Sequence, residues 1–142
     1  MPEETIQGIY VSPGAPAREL EVKNALLPLQ RLVQGNLEVI YPFGDDIALV
    51  CNEEGKLRGL RPSRALLSPR GEVLDVIFGS FFLCGTSEDA FRSLRSEEKQ
   101  QMMEKFREPE LFRYQDGKIK VTKIDLQKRK ERIRESTTHP LK

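Results

Sequence analysis

Leu37-Glu38-Val39-Ile40-Tyr41-Pro42-Phe43-Gly44-Asp45-Asp46-Ile47-Ala48-Leu49-Val50-Cys51-Asn52-Glu53-Glu54-Gly55-Lys56 is the stretch that decides the fold. Leu37 to Tyr41, with β-branched Val39 and Ile40 and aromatic Tyr41, predicts a strand. Pro42 to Asp46 carries the residues of a turn. Ile47 to Cys51 is apolar without a break, which predicts a central strand buried on both faces. Asn52 to Lys56 turns the chain again. A hairpin with one fully buried strand needs a sheet around it and covering layers above and below.

Working outward, Thr5–Val11 and Glu19–Val22 read as a hairpin around the turn Ser12–Pro16. Asn24 is placed to cap a helix over Ala25–Gln34, with Leu26, Leu29, Leu32 and Val33 on one face and Gly35 as its stop. Leu57–Pro69 has no clean period and reads as a structured loop with one helical turn. Val73–Phe78 and Phe81–Cys84 read as strands broken at Gly79-Ser80. Thr86-Ser87-Glu88-Asp89 carries the hydroxyls and acids of a helix start, predicting a helix to Leu94, and Ser96–Phe106 a second. Asp116-Gly117 predicts a hairpin over Arg113–Val121. Asp125–Arg134 reads as a polar helix. The expected class is α+β: a mostly antiparallel sheet built from hairpins, packed with three to four short helices. Residues 1–121 form the domain, and 122–142 a basic C-terminal helix and tail.

Charge is unevenly distributed. Of 23 basic and 22 acidic side chains, residues 118–142 hold nine and three, which leaves 14 and 19 in the preceding body. An acidic body of about −5 thus carries a tail of about +6, a distribution that suits an acidic partner. Two cysteines inside apolar runs suit a reducing compartment. The N-terminus Met1-Pro2-Glu3-Glu4 lacks the pattern of a secretory signal. The longest apolar stretch, Val76 to Cys84, is too short to span a bilayer. The expected location is the cytoplasm of whichever cell makes the protein, with no membrane partner.

Catalytic chemistry is sparse. The one histidine, His139, lies near the C-terminus, away from the expected core. Neither a phosphate-binding G-x-x-x-x-G-K-[ST] loop nor G-x-G-x-x-G occurs. Asp45-Asp46 and Glu53-Glu54 are acid pairs, but both fall in turns where adjacent acids are solvated. Cys51 and Cys84 read as core thiols. No catalytic residue, metal site or cofactor is expected. Binding is expected instead, on the basic loop Asn52 to Arg64, where Asn52, Lys56, Arg58, Arg61, Ser63 and Arg64 crowd beside a buried strand. Arginine forks match phosphate oxygens. Tyr41 and Phe43, on the neighbouring turn, supply rings for a base to stack on.

The order of Val39-Ile40-Tyr41-Pro42-Phe43, Asp46, Ala48 to Lys56, Gly59-Leu60, Arg64-Ala65-Leu66 and Ile77-Phe78-Gly79-Ser80-Phe81-Phe82 resembles domain-of-unknown-function family 3846 over residues 5–110. Ser63 departs from the family's usual Asn-Arg-Ala-Leu block. The resemblance implies an accessory protein of a phage, plasmid or conjugative element. Its expected function is non-enzymatic binding that counters host defence by sequestering a nucleotide immune signal, in a pocket formed within a homo-oligomer. The expected partner is therefore a phosphate-bearing nucleotide. The alternatives are an inhibitor or assembly module acting on a host protein, and a weak nucleic-acid binder using Lys128-Arg129-Lys130, Arg132 and Arg134.

Overall fold

The computed structural model describes residues 3–88 and 90–125. Along the chain run β1 (Thr5–Val11), β2 (Arg18–Lys23), α1 (Leu26–Val33), β3 (Leu37–Ile40), β4 (Ile47–Asn52), β5 (Pro62–Leu67), β6 (Val73–Phe78), β7 (Phe81–Ser87), β8 (Ala90–Arg92), α2 (Ser96–Phe106), β9 (Glu110–Gln115) and β10 (Lys118–Lys123). The main sheet has the order β2-β1-β7-β4-β3, with β8 hydrogen-bonded to β7, and every pairing is antiparallel. β5–β6 and β9–β10 are separate hairpins.

The apolar run Ile47–Cys51 does what its composition predicts. All six residues of β4 are buried. Side-chain alternation sends Ile47, Leu49 and Cys51 to one face, and Ala48 and Val50 to the other. β7 divides in the same way, Phe81 and Leu83 against Phe82 and Cys84. The sheet therefore has two cores. Leu29 and Val33 of α1 close one. Leu66 and Ile77 of the β5–β6 hairpin and Met102 and Phe106 of α2 close the other.

The antiparallel α+β class is as expected, and Asp116 and Gly117 turn the β9–β10 hairpin with φ of 53° and 76°. The helix count is not: the described residues contain two helices rather than three to four. The helix expected over Thr86–Leu94 is the end of β7 followed by β8. Phe91 packs against the α1-side core, and the Thr86 amide donates to the Asp46 carbonyl. A local helix-start signal has lost to sheet pairing. Leu57–Pro69 is likewise not a loop throughout, because β5 starts at Pro62. Its pairing with β6 shifts between Pro62 and Arg64 and between Leu66 and Leu67, and such bulges erase the two-residue period. Asn24 does not cap α1; its side-chain amide donates to the Glu3 and Phe91 carbonyls. The helix expected over Asp125–Arg134 falls, beyond Asp125, outside the described residues. Among those described, no helix is long and apolar enough to cross a membrane.

Candidate functional site

Tyr41 and Phe43 sit at one end of the β3–β4 hairpin, and Asn52 begins the basic loop at the other. Five residues of β4 lie between Phe43 and Asn52, about 17 Å of strand. Asn52 and the start of the basic loop are therefore remote from the aromatic pair, whereas Arg64, at the loop's other end, holds the carbonyl of Phe106, whose ring meets Phe43. Phe43 and Tyr41 also diverge, into two different depressions.

Within the loop, three of the expected ligand contacts hold backbone. The Asn52 side chain donates to the Val33 carbonyl at 2.9 Å and accepts from the Glu54 amide at 2.7 Å. Arg58 donates to the Gln34 carbonyl just past the last turn of α1, where positive charge suits the helix dipole. Arg64 is fully buried. Its Nε and one terminal nitrogen donate to the Phe106 carbonyl at 3.1 and 3.0 Å, and the others reach Ser12, Ser63 and Ala15 carbonyls. All five N–H groups of the guanidinium are thus occupied. Burial lowers its pKa, and the charge of Glu110 offsets part of that. Ser63, at the β5 bulge, is fully buried and its hydroxyl has no partner among the described residues. Lys56 and Arg61 are exposed cations.

A groove of about 750 Å³ lies between the β3–β4 turn, β5, the end of α2 and the β9–β10 hairpin. Leu66 and Phe106 contribute apolar floor. Phe43 forms a wall, its ring meeting Phe106 edge-on at 5.8 Å, and Phe106 meets Phe81 at 5.3 Å. The Lys105 ammonium lies 5.2 Å from the centre of the Phe43 ring. Lys123 is the cross-strand partner of Glu110, so a cation and an acid stand side by side in the wall.

Glu110 is 8% exposed. One carboxylate oxygen accepts the Ala65 amide at 2.8 Å, which ties β9 to β5. Burial raises its pKa, against the opposing pull of the Ala65 amide, Arg64 and Lys123. This environment favours anionic or hydrogen-bonding groups joined to a flat apolar body: two ammonium groups, one aromatic wall and one buried carboxylate. Lys105, Glu110 and Lys123 are absent from the sequence-derived site. They come from three separate elements and carry no local motif; the isolated acid after Pro109 in an otherwise strand-like run is the only trace.

Other chemistry is limited. Burial pushes the Cys51 and Cys84 thiols up to about 12, so neither is a thiolate near neutral pH. Tyr41 lines a second, polar depression with Asp45, Asp46 and Glu88. Among the described residues no three His, Cys, Asp or Glu side chains are grouped to hold a metal.

The sheet with α1 on one face and a hairpin plus α2 on the other defines an antiparallel α+β domain with a groove at its side. Over residues 6–107 the chain matches the family described as Domain of unknown function (DUF3846), and it belongs to that family. The match runs from β1 to just past α2 and so takes in Phe43, Arg64 and Lys105 but not Glu110 or Lys123. No curated protein and no solved structure matches the chain.

Proposed function

We propose that this protein is a non-enzymatic binding protein that holds a phosphate-bearing nucleotide in the Phe43–Lys105–Lys123 groove. The observation that carries the reading is the convergence of an aromatic ring and two ammonium groups on one apolar-floored concavity. A base stacks on Phe43, and its phosphate takes Lys105 away from the ring face. Rings accept any base in this way, while the phosphate contact supplies charge-assisted bonds. This reading sets the ligand beside Phe43 rather than on the exposed cations Lys56 and Arg61 of the Asn52–Arg64 loop. Two inert thiols and the lack of histidine among the described residues support binding rather than turnover. The biological form of this function is sequestration of a nucleotide signal, in the phage or mobile-element setting implied by the resemblance of motifs.

A thermal-shift screen against nucleotides tests it. Ligand at one hundred times its dissociation constant adds about 2.7 kcal/mol, which raises the melting temperature by several degrees in a domain of this size. After denaturation the nucleotide returns intact; a cleaved product overturns the non-enzymatic reading.

One observation favours a second reading, docking to a host protein. Leu67, Val73 and Leu74 are exposed at the tip of the β5–β6 hairpin, Leu74 at 67%. Leu67 and Leu74 also line the groove, so Val73→Glu is the discriminating variant: a protein that co-elutes with the wild type and is lost on Val73→Glu, with nucleotide binding unchanged, supports that reading. The basic residues Lys128 to Arg134, on which a nucleic-acid contact would depend, lie outside the described residues.

A further inference from the structure

Glu110 carries more than its tie to Ala65. Only one of its carboxylate oxygens is engaged, by the Ala65 amide. The other has no hydrogen bond among the described residues, and Glu110 lines the groove. No ion pair joins Glu110 to Lys123 or Arg64. A nearly buried carboxylate with one open oxygen, lining a groove that the Phe43 ring also lines, is an acceptor awaiting a donor. Ionised carboxylates accept and never donate, so the group they select is an N–H or O–H. Left without that donor in a filled groove, the oxygen loses water and gains nothing, which penalises ligands that lack one.

We infer that Glu110 is the specificity-determining residue of the groove and selects nucleobases that present an exocyclic amino group. This rests on the nucleotide reading above and narrows its ligand class. Phe43 and the two lysines accept any stacked, phosphorylated ring; Glu110 is the carboxylate acceptor in the groove that reads the edge of the base. Phosphate positions the ligand and the edge contact specifies it, the same division of labour found in nucleic-acid recognition. The geometry also defines an informative variant. In Glu110→Gln the carboxamide oxygen must stay on the Ala65 amide, because the opposite orientation would set donor against donor. The NH₂ then faces the groove, and an acceptor becomes a donor.

The test is calorimetric titration of two pairs of nucleotides that differ by one amino group: AMP against purine riboside monophosphate, and GMP against IMP. The wild type binds at least one amino member about tenfold more tightly than its partner. Glu110→Gln, checked for an unchanged fold by circular dichroism, loses or reverses that preference. Wild-type affinities that are equal within both pairs overturn the inference while leaving the nucleotide reading in place. A preference that survives in Glu110→Gln also overturns it. If none of the four binds, the inference and the nucleotide reading fall together. The wild-type comparison needs no variant, so a misfolded Glu110→Gln does not leave the question open.

Discussion

Arg64 donates two hydrogen bonds to the carbonyl of Phe106, the last residue of α2, from a fully buried position in β5. The contact places a positive charge at the negative end of a helix. The remaining donors of the same guanidinium hold Ser12 and Ala15 in the β1–β2 turn and Ser63 on its own strand. One side chain thereby joins the end of α2, the first hairpin and β5. It also holds Phe106, which floors the groove and braces Phe43.

Replacing Arg64 should therefore act on stability first. Arg64→Met leaves several buried carbonyls without donors and is expected to cost about 3–5 kcal/mol. Arg64→Lys offers three donors in place of a five-donor fork and recovers only part of that. Urea denaturation measures both. A loss below about 1 kcal/mol for Arg64→Met would show that these bonds contribute little.

Ser63 is expected to behave in the opposite way. Its hydroxyl is buried and has no partner among the described residues. Ser63→Ala removes a desolvated polar group and should stabilise the protein by up to about 1 kcal/mol. A clear destabilisation in the same denaturation assay would mean that the hydroxyl is bonded in solution, for instance to a buried water.

The two shifted glutamates should give pH dependences of opposite sign. Bonding to Arg92, at 2.8 Å, holds Glu98 below its ordinary value of 4.5. Its contribution is present above that ordinary value and is lost as pH falls through the lower folded value. Burial holds Glu110 above the same ordinary value. The folded protein therefore keeps this proton longer than the unfolded chain, and stability declines as pH rises from the ordinary value through the raised one. Stability curves of Glu98→Gln and Glu110→Gln should differ from the wild type below and above about pH 4.5 respectively. Identical curve shapes for all three would remove both assignments.

Neither thiol should react in the native state. Cys51 and Cys84 are buried and pushed up to about 12. At about pH 8 a disulfide reagent is expected to label both only as fast as the protein opens. Rapid labelling of one thiol in the folded protein would contradict that burial.

How far the sequence can be read follows from where each signal originates. The β3–β4 hairpin and the Asp116-Gly117 turn were legible because strand pattern and turn chemistry are local and agree. β5 was not, because its bulges break the period. Thr86 to Leu94 misled because hydroxyls and acids that suit a helix start also suit a turn between paired strands, and only the packing of Phe91 and the Asp46 contact decide. The site divides in the same way. Phe43 was legible as a ring in a turn, and the structure packs it against the core. Arg64 was legible as important, but composition does not distinguish an arginine that meets a ligand from one that closes a helix end. Lys105, Glu110 and Lys123 meet Phe43 only through tertiary folding.

The groove account stands or falls on calorimetric titration of AMP and GMP into the wild type and four single variants. One-to-one binding of at least one of the two nucleotides is expected. Phe43→Ala and Lys105→Ala should weaken it by about tenfold or more, while Lys56→Ala and Arg61→Ala leave it unchanged. Binding that survives the two groove variants and falls in the two loop variants, or no binding of either nucleotide, would contradict it.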